Sequence, residues 1–180
     1  MVVTMNNSDK FTIRKAMQAD VPVLVDFLAK LALHVAGEPP HTLKKAERSR
    51  LMVTLRSSLS DPNKRLVVAE TDDGRLVGMG YLYVWRNQGI WEQSGDIEFK
   101  SGIIDDVWVE PDFRKLGIFS AILEELLAFA ESHAITELIL EYAASNKEAA
   151  ATWKKLGFKP TGIRAAAFAT DVHEALAKRR

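Results

Sequence analysis

The segment VWVEPDFRKLGIFSAILEEL, residues 107–126, carries the chain from a β-rich run into a strongly apolar helix. Its Glu-Pro-Asp run ends the strand that we predict over 102–109, and apolar side chains then recur at helical spacing over 116–132. A second β-rich run, ELILEY, follows at 137–142. A strand, a helix and a strand in this order predict a right-handed crossover, so the two strands are expected to run parallel in one sheet.

Working outward from this unit, the other patterns extend it into a larger α/β arrangement. Apolar periodicity, helix-ending Gly and Pro residues and one Asp-Gly hairpin turn mark the further elements. These are a strand at 11–16, a helix capped by Asp20 and ended by Gly37, a helix over 44–59, strands at 65–71 and 76–85, a helix over 146–155, a weaker strand at 163–170 and a short helix from Asp171. We expect one domain over residues 1–180, an α/β fold with a mixed central sheet flanked by helices on both faces.

The composition narrows the classes of protein. Of 180 residues, 47% are apolar and 27% charged, as in an ordinary globular protein. Lys+Arg and Asp+Glu both count 24, which argues against a binder of nucleic acid that neutralises phosphates. The chain has no cysteine, which excludes disulfide scaffolds, cysteine nucleophiles and cysteine-ligated zinc. No apolar run suits a membrane span and the first residues do not resemble a signal peptide, so we expect a cytoplasmic protein.

The loop before the apolar helix has features of a phosphate site. It holds Arg114, Lys115 and Gly117, and the helix begins directly after it. A helix N-terminus presents backbone N–H groups and partial positive charge, and a glycine lets the backbone approach a ligand closely. A plain turn with a solvated basic pair explains the same residues. The G-x-x-x-x-G-K-S/T segment of ATPases and a G-x-G-x-x-G segment after the first strand are both missing, which argues against ATP hydrolysis and dinucleotide redox chemistry.

Two motifs resemble those of one family, the GNAT N-acetyltransferase superfamily. Arg114-Lys115-Leu116-Gly117-Ile118-Phe119 resembles its acyl-CoA signature Q/R-x-x-G-x-G/A, with a phenylalanine at the last position. The segment 140–158 resembles its fifth strand and the following helix, on Leu140-Glu141, Ala144-Ser145-Asn146, Ala149, Trp153 and Leu156-Gly157-Phe158. The resemblance covers most of residues 65–160, and the strand and helix order of the first 60 residues also fits it.

The resemblance implies a GNAT fold and an acetyl-CoA-dependent N-acetyltransferase, a transferase that uses coenzyme A chemistry and no metal. Strands 102–109 and 137–142 are expected to splay apart, so that the pantetheine arm of acetyl-CoA bonds to the backbone of Val107 and Val109 like an added strand. The pyrophosphate is expected on the N–H groups of residues 115–120. The predicted cofactor-binding residues are Val107, Trp108, Val109, Arg114, Lys115, Leu116, Gly117, Ile118, Phe119, Ser120, Asn146 and Trp153.

Two carboxylates are candidates for the base that takes the proton of the attacking amine. Glu141 interrupts an apolar strand near its C-terminal end, where relatives in the resembling family place a glutamate base, although a simple solvent-facing role is equally open. Asp105 is the second candidate, because strand alternation places it on the face of Val107 and Val109. Asp106 is then expected on the opposite face. Direct attack needs no covalent enzyme intermediate, which agrees with the absence of cysteine.

The proton donor and the partners are less defined. Trp153 stands where relatives often carry a tyrosine acid, so a water or another hydroxyl, such as that of Tyr81 or Tyr83, is expected to serve if the thiolate needs a proton donor. Residues near the acceptor loops of the family, with solvated or packing roles equally open, are His34, His41, Trp85 and Trp91. The acceptor is expected to be an amine on a small molecule or peptide, with no nucleic acid or membrane partner and with a homodimer left open. The rival function is a non-catalytic acyl-CoA-binding or sensing module on the same fold.

Overall fold

The computed structural model describes residues 10–36, 43–86 and 100–178 of the chain. His41 and Trp91, two of the candidate acceptor contacts, lie outside the described residues. Two short 3-10 turns, Gln18–Asp20 and Pro111–Phe113, precede helices α1 and α3. The helices and strands in chain order are β1 (Phe11–Lys15), α1 (Val21–Ala36), α2 (Lys45–Ser60), β2 (Lys64–Thr71), β3 (Leu76–Trp85), β4 (Ser101–Val109), α3 (Ile118–Ser132), β5 (Glu137–Ile139), α4 (Lys147–Lys155) and α5 (Ala169–Ala177).

The chain divides into two compact units, Met1–Glu141 and Tyr142–Arg180. All five strands belong to the first unit and form one sheet in the order β1-β2-β3-β4-β5. Neighbouring strands are antiparallel except β4 and β5, which are parallel as the strand–helix–strand pattern predicts. The hairpin between β2 and β3 turns at Gly74, whose φ of 82° lies in the left-handed region that glycine adopts without strain.

Helices pack on both faces of the sheet in the first unit, which confirms the predicted mixed α/β architecture. On one face, Leu66, Met79 and Trp108 join a buried cluster with residues of α1 and α2. On the other face, α3 lies so close to β3 that a Cβ placed on Gly78 or Gly80 would meet its side chains. Successive strand residues alternate between the faces, so each strand contributes apolar side chains to both layers.

The apolar face of α3 differs slightly from the sequence prediction. Spacing alone assigns Leu127 to the buried side, but this side chain is 43% exposed, whereas Phe129 is only 3% exposed. Buried positions along the helix are Ile118, Ile122, Leu123, Leu126, Phe129 and Ala130. The observed stripe thus differs from the spacing prediction at its edge, where Phe129 and not Leu127 is buried. With 3.6 residues per turn, two apolar residues near the edge of the buried face have similar orientations, so spacing alone does not decide between them.

The close approach of α3 to Gly80 leads to a stability prediction. A Cβ on Gly80 would lie 2.4 Å from Cγ2 of Ile122. This atom is bonded directly to the Cβ of a β-branched residue in a helix, so it has little freedom to move away. We expect Gly80→Ala to lower the free energy of unfolding by about 1–3 kcal/mol, the usual cost of overpacking. Urea unfolding measures this change. Gly162→Ala is the control, because its Cβ would meet nothing within 4 Å, and equal stability of the two variants would contradict the prediction.

The end of the chain corrects two element predictions. The strand predicted at 163–170 is wrong: α5 begins at Ala169, and residues 159–168 are exposed and belong to no helix or strand. The Ala-Ala-Ala run at 165–167 has little β propensity and offers no bulky face to bury. The strand predicted at 137–142 is shorter than expected and ends at Ile139, where its pairing with β4 also ends.

Candidate active site

β4 and β5 pair over only three residues, and we call the side of β4 that has no strand partner beyond this pairing the cleft. The parallel register joins Ser101 to Glu137 and ends with Ile103 opposite Ile139. β4 continues to Val109, whereas β5 stops. The later half of β4 therefore has β3 on one side and the cleft on the other.

Main-chain groups of β4 point into this cleft. The N–H of Glu110 donates to the carbonyl oxygen of Val77 at 2.9 Å, which fixes the side on which β3 lies. In an antiparallel pair, successive residues direct their N–H and C=O groups alternately toward and away from the partner strand. The backbone groups of Val109 and Val107 therefore face away from β3, toward the cleft, where an extended ligand can pair with them.

The N-terminus of α3 lies directly after the loop that follows β4. Gly117 is its N-cap, with a φ of 88°, and Lys115 is also left-handed at 65°. A Cβ on Gly117 would meet nothing within 4 Å, so the space above this turn is open. Ile118 is buried and anchors the first turn, while Leu116 and Ser120 are exposed. The turn thus presents its backbone to an approaching anion.

Arg114 ties the loop to the end of β4. Its Nε donates to the carbonyl oxygen of Val109 at 3.2 Å, and its guanidinium carbon lies 5.3 Å from the centroid of the Trp108 ring. Trp108 is 6% exposed, and its Nε1 has no hydrogen-bond partner in the described part of the chain. Phe119 is half-buried in the first turn of α3. Arg114 is therefore placed beside the cleft, with part of its hydrogen-bonding capacity used by the protein.

A β-bulge brings two neighbouring carboxylates to one side of β4. Tyr81 pairs with Asp106 and the next residue of β3 pairs with Ile104, so Asp105 is the extra residue. Because a bulge sets two residues against one, it breaks the alternation of side chains. Asp105 and Asp106 both line a cavity of about 160 Å³ between the sheet and helices α1 and α2. Asp106 therefore lies on the face opposite Val107 and Val109, as predicted, whereas Asp105 does not share their face, because the bulge breaks the alternation on which that prediction rested.

Glu141 faces the same region from the other side of the cleft. Asp105 lies two residues beyond Ile103, and Glu141 lies two residues beyond Ile139, the last pair of the β4–β5 register. The pKa of Asp105 is raised, first by desolvation and then by the negative charge of Glu141. The charge of Glu141 thus reaches Asp105, the other candidate base.

The electrostatics of this group also involve Tyr83 and Asp106. Desolvation is the largest cause that raises the pKa of Tyr83, followed by the charges of Asp105, Tyr81 and Glu141. The rings of Tyr81 and Tyr83 lie 5.7 Å apart. Burial raises the pKa of Asp106 from 3.8 to about 6, and the neighbouring charge of Asp105 adds to the effect. Of the two tyrosines, Tyr83 is therefore the one whose pKa is raised by the charges of both candidate bases. The sequence alone does not distinguish Tyr81 from Tyr83.

The raised pKa of Asp106 predicts a pH effect on stability. A carboxyl that binds its proton more tightly in the folded state stabilises the fold below its unfolded pKa, and this contribution is lost as the pH rises through about 6. We expect Asp106→Asn to be more stable than the wild type by roughly 1–3 kcal/mol at pH 7.5, with little difference at pH 4. Urea unfolding at both pH values measures this. Exposed Asp112 gives the control variant Asp112→Asn, and a pH-independent difference would contradict the prediction.

Two predicted cofactor contacts, Asn146 and Trp153, belong to the second unit. The side-chain oxygen of Asn146 accepts a hydrogen bond from the N–H of Ala149 at 3.0 Å and caps α4. Trp153 packs edge-to-face on Phe158, with ring centroids 5.4 Å apart. Both side chains have structural contacts within their own unit, and their roles toward a cofactor stay predictions.

Two further candidates lie in regular elements of the first unit. His34 is in the last turn of α1, with its ring 6.0 Å from that of Trp108, and not in a loop. Trp85 is the last residue of β3. The sequence signal for the bulge is the Asp-Asp pair inside an otherwise apolar strand, a pattern that a bulge accommodates.

The described residues, 10–36, 43–86 and 100–178, show neither a metal-binding cluster nor a membrane-spanning helix. They contain no group of three or more His, Cys, Asp or Glu side chains that could hold a metal ion. Within the same residues, no helix has both the length and the apolar character needed to cross a membrane.

Comparison with known proteins identifies the family. The model of the acetyltransferase (GNAT) family matches residues 31–158, and the chain belongs to this family. Over 59 residues it is 37% identical to the ribosomal protein bS18 alanine N-acetyltransferase of Escherichia coli K12, a match that covers 33% of this chain and 40% of that relative.

Solved structures share the fold at low sequence identity. Glucosamine-6-phosphate N-acetyltransferase from Arabidopsis thaliana superposes with a TM-score of 0.62 at 20% identity, over 89% of this chain and 99% of that chain. A predicted acetyltransferase from Clostridium acetobutylicum, crystallised with acetyl-CoA, superposes with a TM-score of 0.69 at 20% identity, over 90% of this chain and 98% of that chain. These likenesses establish the fold of the chain.

Proposed function

We propose that this protein transfers an acetyl group from acetyl-CoA to a primary amine, by direct attack within a ternary complex. The observation that carries the proposal is the cleft beside β4. Main-chain groups of Val107 and Val109 face it, the N-terminus of α3 follows the loop after β4, and Asp105 and Glu141 lie beyond the last β4–β5 pair. Membership in the GNAT family supports acetyl transfer as the reaction class.

The residues present fit an extended molecule with a charged pyrophosphate. The backbone of Val107 and Val109 offers donors and acceptors at the spacing of a strand, which suits the amides of a pantetheine arm. The open space at Gly117 allows a phosphate to approach the first N–H groups of α3, where the helix dipole favours negative charge. Lys115 is exposed at the same turn and adds a positive charge.

The carboxylates supply the proton chemistry. An ammonium has no lone pair, so the acceptor must lose a proton to Glu141, or to Asp105, directly or through a water. The neutral nitrogen then forms a C–N bond to the thioester carbonyl carbon, and the C–S bond breaks. We assign the N–H of Val109 to the carbonyl oxygen, on which negative charge develops. The thiolate is a tolerable leaving group and takes its proton from water or a nearby hydroxyl.

The relatives support an amine as the acceptor without identifying it. The Escherichia coli relative is named for an alanine of a ribosomal protein, and the Arabidopsis neighbour for an amino sugar phosphate. This chain spans 40% of the length of the Escherichia coli relative. Cytoplasmic location, a single domain and a homodimer stay predictions.

Two measurements test the proposed function in sequence. Calorimetric titration with acetyl-CoA tests the cosubstrate, and we expect one site per chain that free coenzyme A also occupies. Release of free thiol in the presence of a panel of primary amines then tests the reaction. Acetyl-CoA binding without thiol release would favour the non-catalytic binding module, and absence of binding would remove both functions.

A further inference from the structure

The cavity between the sheet and helices α1 and α2 has a wall made of apolar side chains. It has a volume of about 160 Å³ and lies within the first unit. Leu55 and Leu66 are 5% and 1% exposed, so this part of the wall belongs to the core, while the polar residues Thr54, Ser58 and Tyr81 also line the cavity. The apolar residues of the wall are Leu28, Leu51, Leu55, Leu66 and Met79.

One end of the cavity is negatively charged. Asp105 and Asp106 line it there, and Glu141 lies close enough to Asp105 to raise its pKa. The described residues that line the cavity include no lysine, arginine or histidine. A ligand with an apolar body and one cationic end therefore complements the cavity, because its charge meets carboxylates and its carbon atoms meet leucines.

The volume limits the size of the apolar body. An engineered protein cavity of about 150 Å³ lined by apolar side chains stays dry and binds benzene. A space of about 160 Å³ thus suits one six-membered ring or a short branched alkyl chain. Long polyamines and multi-ring amino sugars exceed this volume and would bring polar groups against the leucines.

The register places the charged end where transfer is proposed to occur. Asp105 lines the cavity and precedes by two residues in β4 the Val107 backbone that faces the cleft. A nitrogen bound between Asp105 and Glu141 therefore lies at the junction of the cavity and the cleft. From this position a proton can pass from nitrogen to carboxylate before the C–N bond forms.

We infer that the acceptor of this enzyme is a primary amine with a small apolar substituent, a single ring or a short branched chain, that fills the cavity between α1, α2 and the sheet. The inference rests on the proposed function, because it names the acceptor of the same site. It separates this protein from acetyltransferases whose acceptors are polar along their whole length.

The first experiment measures kcat/KM of the full chain for a series of amines at fixed acetyl-CoA. Each methylene that enters the cavity is expected to raise kcat/KM about fourfold, since burial of a CH₂ is worth about 0.8 kcal/mol. We expect 3-methylbutylamine and 2-phenylethylamine to exceed ethylamine by at least tenfold, and spermidine to be no better than ethylamine. Equal kcat/KM for ethylamine and 2-phenylethylamine, with thiol release from both, would overturn the inference and leave the proposed function intact.

A matched pair of variants in α2 tests the location. Leu51 lines the cavity and is half-buried, so Leu51→Phe reduces the volume without removing a fully buried side chain. Val53 is 65% exposed in the same helix, and Val53→Phe is the control. We expect Leu51→Phe to lower kcat/KM for 2-phenylethylamine at least tenfold while ethylamine turnover and acetyl-CoA affinity stay within twofold. An equal loss for both amines, or the same loss in Val53→Phe, would contradict the assignment.

Binding to the free protein gives a readout that does not need turnover. Calorimetry with 2-phenylethylamine is expected to show one site that Leu51→Phe weakens at least tenfold. The uncharged 2-phenylethanol should bind at least tenfold more weakly than the amine, because it lacks the charge that faces the carboxylates. If no amine is acetylated but this binding pattern is found, the cavity assignment stands and the proposed reaction fails. If 2-phenylethylamine does not bind in the absence or presence of coenzyme A, the inference fails.

Discussion

Replacing Glu141 by glutamine is expected to lower kcat by about 10²–10⁴-fold, the range that a positioned general base contributes. Glutamine keeps the size and polarity of the side chain but cannot accept a proton from an ammonium. Because Glu141 lies at the mouth of the cleft and not along the wall formed by Val107 and Val109, the Kd for acetyl-CoA should stay within about twofold of the wild type. Stopped-time assays of thiol release measure kcat, and calorimetry measures the Kd.

A control and a rival variant make this result decisive. Glu124→Gln removes an exposed glutamate of α3 and should leave kcat unchanged. Asp105→Asn tests the second candidate base in the same assay. If Glu141→Gln retains full activity while Asp105→Asn loses it, the base is Asp105, and turnover needs neither the carboxylate of Glu141 nor its charge.

Replacing Gly117 by alanine is expected to weaken acetyl-CoA binding about 10–100-fold, the loss that corresponds to removing a buried hydrogen bond of roughly 1–3 kcal/mol. The added Cβ would occupy the open space above the first turn of α3, through which a phosphate must approach. The φ of 88° adds a strain of about 1–2 kcal/mol in the free protein. We therefore expect both weaker binding and a lower Tm.

Gly74→Ala separates these two effects. Gly74 has nearly the same φ, 82°, but lies in the hairpin between β2 and β3, and its Cβ would make only an ordinary contact of 3.8 Å with Glu70. This variant should show a comparable loss of Tm with unchanged acetyl-CoA affinity. Equal affinities of Gly117→Ala and the wild type would mean that the cosubstrate does not use the N-terminus of α3.

The sequence predicts much of the first unit because its local patterns and its tertiary contacts agree. The Asp-Gly turn sets the hairpin, and its predicted strands match β2 and β3 within one residue. The apolar spacing of 116–132 specifies α3, and the crossover rule then makes β4 and β5 parallel. Each of these predictions rests on residues that are neighbours in sequence, which is why a single sequence suffices.

Features that depend on contacts between distant segments were not predictable in the same way. The bulge at Asp105 depends on how β3 and β4 align, and no local pattern fixes the register of two strands. The cavity needs α1, α2 and the sheet together. At the end of the chain, residues 163–170 have a weak strand pattern, but they pair with none of the five described strands. Their last two residues instead begin α5.

The orientation of the Val107 and Val109 backbone has a consequence for how such proteins diversify. Binding of a donor substrate by main-chain amides and carbonyls depends on the backbone path of β4 and hardly on the side chains of that strand. The cavity beside Asp105, in contrast, owes its shape wholly to side chains of α1, α2 and the sheet. Under the proposed function, mutations in the cavity change which amine is chosen without altering how the acyl carrier is bound, so the two specificities are free to evolve separately.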